Sequence, residues 1–197
     1  MSGATLPQTA SENHPQHSSR ALERLFADCF EGEYDTLLRG GAEEPFYQAC
    51  RAGAPAVIHY RFDYFRSALH EIAHWCVAGE ARRQQDDYGY WYAPDGRSAA
   101  QQKEFEQVEV LPQAWELLFC AAAGVAFRVS MDNLENAPAQ VGEFQHAVLE
   151  RATALLESGP KNQRGWPFTL ALARQFRGEG VFRQDWLRDS FVPWQIC

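Results

Sequence analysis

The run His70-Glu71-Ile72-Ala73-His74 restricts this chain more than any other stretch. On an α-helix, residues four apart stand one above the other with Cβ atoms about 5–6 Å apart, and two imidazoles so placed can each reach one metal ion at about 2.0–2.1 Å. A strand would set the same rings roughly 13 Å apart. The flanking residues predict the helix: Asp63 as N-cap, Phe65, Leu69, Ile72 and Cys76 as a buried stripe, and Gly79 as a stop with Arg82 and Arg83 just beyond. His70 and His74 fall off that stripe, at a boundary that a cleft can reach.

Two imidazoles among large apolar groups are costly to bury without partners, and a metal ion with acceptors behind the rings satisfies both. Sites on this motif often draw their third ligand from a later helix as a carboxylate. Glu106, Glu109 and Glu116 are the candidates. Pro112 is tolerated in a first helical turn, so a helix beginning there places Glu109 at its start and Gln113 one turn on as a partner. Glu109 is therefore the preferred ligand and Glu106 the next. Two imidazoles and a carboxylate with open positions serve iron(II) oxygenases and zinc peptidases alike, so the ion is open between Fe(II) and Zn. Glu71 faces the same opening, as a proton relay in hydroxylation or the general base in peptide hydrolysis.

In 197 residues, a composition of 46 % hydrophobic with 13 % aromatic is enough for the core of one α+β, mostly helical domain with a few short strands. Residues 1–20 are polar and read as a disordered tail in which His14 and His17 are incidental, with the domain running from 21 to 197. A net charge of −8 offers no footprint for nucleic acid or an anionic membrane. With no apolar run long enough for a bilayer and no signal-peptide pattern, a cytoplasmic location is expected. The scattered cysteines argue against a disulfide frame, and Cys76 and Cys120 read as core residues.

Leu22, Leu25, Phe26, Cys29 and Phe30 predict a core helix capped by Ser18 or Ser19. Residues 32–53 read as an irregular connection with a helical piece near Asp35–Leu38, and 55–61 as a strand whose His59 is structural. Further on, 127–130 suggest a short strand, Phe144, Val148, Ala152 and Leu155 a helix, and Pro167 the start of another. His146 reads as a surface residue. Between the two halves of the metal motif lies a dense aromatic run with two acids, Asp86-Asp87-Tyr88-Gly89-Tyr90-Trp91-Tyr92. Its rings and carboxylates, above all Asp86, Asp87, Tyr90 and Trp91, suit the alkyl chain and ammonium of a lysine-like group.

In combination, His70 to Cys76, Gly89 to Tyr92 with Pro94-Asp95-Gly96, Phe105 to Val110 with Pro112-Gln113-Ala114, and Asp132-Asn133-Leu134 resemble the bacterial elongation factor P hydroxylase family over most of the chain after the tail. The resemblance implies a small non-haem metalloenzyme, zincin-like in its metal motif. It implies His70, His74 and a glutamate of the 106–109 segment as ligands, and the β-lysylated lysine of elongation factor P as the group hydroxylated, with that protein as partner. The alternative on the same residues is a cytosolic metallopeptidase.

Overall fold

Leu22, Phe26 and Phe30 recur at four-residue spacing and form the buried face of α1 (Ser19–Tyr34). In the computed structural model, which describes residues 17–89, 99–131, 138–159, 164–178 and 183–191, that face meets the aromatic centre of the core. Phe26 and Phe30 pack edge-on or tilted against Trp75 and Phe168, with ring centroids 4.9–6.1 Å apart, an arrangement that matches the quadrupoles of the rings. Ser18 holds the N-cap position without a side-chain bond. His17, expected to be incidental, is tied down: its Nε2 meets the Ala123 carbonyl at 2.8 Å and its ring packs on Phe65 and Phe176.

The 32–53 stretch differs from expectation. It holds two strands, β1 (Thr36–Ala42) and β2 (Phe46–Gln48), and the backbone passes through Asp35–Leu38 without a helix. With β3 (Ala56–Arg61) they form a sheet ordered β1-β3-β2, in which β1 runs parallel and β2 antiparallel to β3. Thr36, Leu38, Tyr47, Ala56, Ile58 and Tyr60 turn inward. His59 pairs with Arg39 on one side and Phe46 on the other, on the outer face, which agrees with a structural place for it. The parallel ladder slips between Arg39 and Ala42, where a Cβ on Gly40 would stand 2.5 Å from the Phe62 carbonyl oxygen. Only glycine fits that approach.

β3 leads into α2 (Phe65–Val77), the predicted histidine helix, whose Phe65, Leu69, Ile72 and Cys76 are buried as expected. Its N-cap is Tyr64 rather than Asp63, and no side chain caps it; Asp63 lies one residue too early to take that role. The helix ends at Val77, and Arg82 and Arg83 belong to the short α3 (Glu80–Arg83). Arg83 and Arg164 each donate to the Ala78 carbonyl at 2.7 Å, and Arg164 also to Cys76 O at 3.0 Å. Cations thus cover the negative end of the helix.

The larger departure concerns α4 (Ala99–Ala123), which continues through Pro112 as one helix. Glu109 therefore stands in mid-helix, and Glu109, Gln113 and Glu116 fall on one face at i, i+4 and i+7. Pro112 is buried and carries no N–H for the preceding turn. α4 packs against α2, α5 (Pro138–Ser158), α6 (Gly165–Arg177) and α7 (Gln184–Ser190). Phe127 makes a single parallel bridge to Phe191 rather than a strand. Phe144, Val148 and Ala152 are buried on α5, and His146 is exposed.

Gly165 starts α6 directly on Trp115 of α4, where a Cβ would come within 2.8 Å of the indole carbons. Gly165→Ala is expected to lower stability by about 1–3 kcal/mol, the usual range for overpacking, read as a shift of the urea midpoint at unchanged slope.

Candidate metal centre

His70 and His74 share one face of α2, and α4 lies across it. Their Nε2 atoms point at each other 3.1 Å apart, and Glu109 Oε1 stands 3.4 Å from that of His74. One ligand atom from each of the three residues lies within 4.8 Å of the others. Two nitrogens bound to a common ion at about 2.0–2.1 Å, at angles between 90° and tetrahedral, stand roughly 2.8–3.4 Å apart. The observed nitrogen pair fits that window, so the residues present suit an ion. Among the three glutamates, α4 delivers Glu109. Glu106, one turn earlier, is half-buried and accepts from Gln102 Nε2 at 3.2 Å.

Glu116 takes a different part. Its Oε2 meets His70 Nδ1 at 2.8 Å, and its Oε1 accepts from Arg66 Nη2 at 3.1 Å. A carboxylate on Nδ1 keeps the proton there and leaves the Nε2 lone pair for an ion. Burial works to lower the His70 pKa, but ionised Glu116 outweighs it and the net shift is upward. Glu116 itself is driven down despite burial, by His70 and Arg66. Glu109 likewise resists burial: His74 is the main group holding it ionised, with Gln113 Nε2 donating to its Oε2 at 3.3 Å.

Gln113 is fully buried and bonds Ser130 twice, donating to the carbonyl at 2.6 Å and accepting from the N–H at 3.0 Å. It joins Glu109 to the 127–131 segment, which makes it the partner anticipated one turn on. Gln113→Leu removes all three bonds. The expected result is a loss of about 10–100-fold in metal affinity, typical of groups that orient a ligand, measured by competition with a chelator of known affinity.

Glu71, half-buried on the same helix, has its pKa raised by burial first, against the lowering pull of His70 and His74. A carboxylate made more basic suits proton transfer near neutral pH. Tyr88 was legible only as one ring of the aromatic run. It is buried, stacked parallel on Tyr47 at 4.3 Å, and its hydroxyl has no hydrogen-bond partner among the described residues. Asp87 and Tyr88 both have left-handed backbones, with φ of 47° and 56°, the kind of strain that gathers at functional sites. Burial and then the charge of Glu71 hold the hydroxyl pKa well above its usual value.

The acids of that run face elsewhere. Asp86 Oδ1 accepts from Ala49 N–H at 2.9 Å and its Oδ2 pairs with Arg51, while Asp87 Oδ1 accepts from Tyr47 N–H at 2.9 Å. Both secure the β2 end of the sheet, and no described contact brings either to the ligand cluster. Tyr90 and Trp91 lie outside the described residues.

Two comparisons bear on this site. Residues 25–186 match a family model described as elongation factor P hydroxylase. Over 145 residues the chain is 43 % identical to a Haemophilus influenzae protein named elongation factor P lysine hydroxylase, covering 73 % of this chain and 82 % of that one.

Proposed function

Because the chain belongs to the elongation factor P hydroxylase family, we propose that it hydroxylates a lysine side chain of elongation factor P at a mononuclear metal site made by His70, His74 and Glu109. The observation that carries this reading is the convergence of the three donor atoms, with Glu116 behind His70. Two imidazoles and one carboxylate on one face, with positions left open, is the donor set of non-haem iron oxygenases. Iron(II) is the proposed ion, and zinc is expected to occupy the same ligands in vitro. When bound, iron would supply the activation of dioxygen. The rest of the work falls to the chain: Glu116 orients His70, Gln113 orients Glu109, and Glu71 holds or passes a proton beside the reacting group.

We assign the substrate as the β-lysylated lysine, on the family resemblance, and keep Tyr90 and Trp91 as its aromatic contacts on sequence grounds. Asp86 and Asp87 remain the carboxylates proposed beside those rings, and they also accept from the backbone of Ala49 and Tyr47. Both matches carry the hydroxylase description, which weighs against a peptidase on the same motif. No helix among the described residues is long and apolar enough to cross a membrane, and we place the activity in the cytoplasm with the translation factor it modifies.

Inserting one atom of dioxygen into a C–H bond and reducing the other to water takes two electrons and two protons, so the assay includes a reductant. After incubation in air with the iron-loaded protein, β-lysylated elongation factor P is expected to gain the mass of one oxygen. No gain, with iron occupancy verified, would move the reading to the peptidase, for which peptide cleavage by the zinc form is the test.

A pH dependence accompanies the ion. Glu116, facing Nδ1, stabilises the imidazolium of His70, and the second proton of that cation, on Nε2, must leave before metal binds. Affinity should therefore rise with pH, by about tenfold per unit for each proton displaced, until the raised His70 pKa is passed. Calorimetry in buffers of different ionisation heat is expected to show proton release at neutral pH.

A further inference from the structure

The hydroxyl of Tyr88 is a donor that the protein shields from water and leaves without an acceptor. The residue is 7 % exposed, and its oxygen has no hydrogen-bond partner among the described residues. A polar atom buried in this way lowers stability. The backbone adds to the cost: Asp87 and Tyr88 are consecutive left-handed residues, and an aromatic residue in that region is an outlier. The surroundings nevertheless hold the ring in place. Tyr47 stacks on it with 11° between the ring planes, and the Tyr47 hydroxyl donates in turn to the Arg83 carbonyl at 2.8 Å. The backbone is fastened by Asp87 Oδ1 on Tyr47 N–H, by Arg82 Nη1 on the Tyr88 carbonyl at 3.2 Å, and by Tyr88 N–H on the Gln85 carbonyl at 3.1 Å.

Glu71 is the matching acceptor. It is half-buried on α2, next in sequence to His70, and its carboxylate makes no hydrogen bond or ion pair with a described residue. Glu109 and Glu116, on the helix opposite, are both bonded. Burial first, and then the charge of Glu71 ahead of any other charged group, keep the phenol of Tyr88 protonated and so a donor. The other unmatched donor on α2, Trp75 Nε1, belongs to a ring packed among Phe26, Phe30 and Tyr34. Glu71 can change rotamer, whereas the Tyr88 ring is fixed, so the carboxylate is the member of the pair that moves.

We propose that Tyr88 is a positioning residue for Glu71: its hydroxyl donates to one carboxylate oxygen and leaves the other facing the donor cluster of His70, His74 and Glu109. The proposal rests on the function given above, in which Glu71 holds or passes a proton beside the reacting group. An untethered carboxylate divides its time among several rotamers, and a bond from a fixed phenol selects the one aimed at the reaction. The unmatched hydroxyl and the strained turn are the cost of that positioning.

The contact is tested first by NMR of zinc-loaded full-length protein, isotope-labelled at tyrosine Cζ. The resonance that Tyr88→Phe removes is the reporter. Glu71→Ala should shift it, and Glu71→Gln, which keeps an acceptor, should shift it less. No shift overturns the proposal, as does an equal shift in both variants, the mark of lost charge alone. This measurement needs no substrate, so it decides the contact even if iron-loaded wild type adds no oxygen to elongation factor P and the functional reading fails. In the oxygen-addition assay, Tyr88→Phe should lower kcat by about tenfold or more and leave KM within about twofold. Because the substitution removes an unmatched hydroxyl, the variant should melt within about 2 °C of wild type or above it. A wild-type kcat, or a melting temperature more than about 5 °C below wild type, which would mark a structural bond, overturns the proposal.

Discussion

Glu109→Ala is expected to yield a folded protein that binds iron(II) more than about 100-fold more weakly than wild type and adds no oxygen to elongation factor P. The lower bound follows from the 10–100-fold losses seen when only a supporting group is removed; here an ion-binding oxygen itself is lost. The donor set falls to two nitrogens 3.1 Å apart, too few to hold an iron ion in competition with water. Glu106→Ala is the matched control, one helical turn away and bonded to Gln102; it should keep wild-type affinity and activity within about threefold, because its carboxylate lies outside the donor cluster. Equal losses in the two variants would mean that the ion is held elsewhere.

The largest effect on stability is expected from Glu116→Ala. One carboxylate, 2 % exposed, satisfies Arg66 through one oxygen and His70 through the other. Removing it takes the acceptor from His70 Nδ1 and the counter-charge from Arg66, whose bond to the Arg128 carbonyl remains, and breaking one side of a buried ionic cluster costs about 3–5 kcal/mol. For a chain of this size that is a drop of about 6–20 °C in melting temperature. Glu116→Gln keeps an acceptor for His70 Nδ1 and should lose less. Iron affinity is expected to fall in both, by about 10–100-fold in the alanine variant, since the imidazole can then rotate or take the other tautomer. A protein that melts like wild type would contradict the role given to Glu116.

The metal motif was legible because its geometry is local: i,i+4 spacing on a helix fixes where two side chains stand, whatever the rest of the chain does. The candidate for the third ligand was reached through residue type, and the structure brings Glu109 to the histidines by a route the sequence reading did not have. Pro112 suggested a helix start, but α4 runs straight through it, its lost hydrogen bond outweighed by packing against α2, α5 and α6. That continuity puts Glu116 on the same face and behind His70. The sheet was half visible. β3 has a β-branched and aromatic run, whereas β1 breaks its pattern at Gly40-Gly41 and β2 is three residues long, so their pairing depends on long-range contacts. Asp86 and Asp87 illustrate the same limit: their partners include the N–H groups of Ala49 and Tyr47, some forty positions away in sequence, and the Arg51 guanidinium, contacts that no local pattern announces.

The most direct measurement is anomalous diffraction at the iron edge from crystals grown of the iron-loaded protein. The account predicts one peak per chain, about 2.0–2.2 Å from His70 Nε2, His74 Nε2 and a Glu109 oxygen, with Glu116 still on His70 Nδ1. A peak on other residues, or none in protein whose iron content is verified, would contradict it.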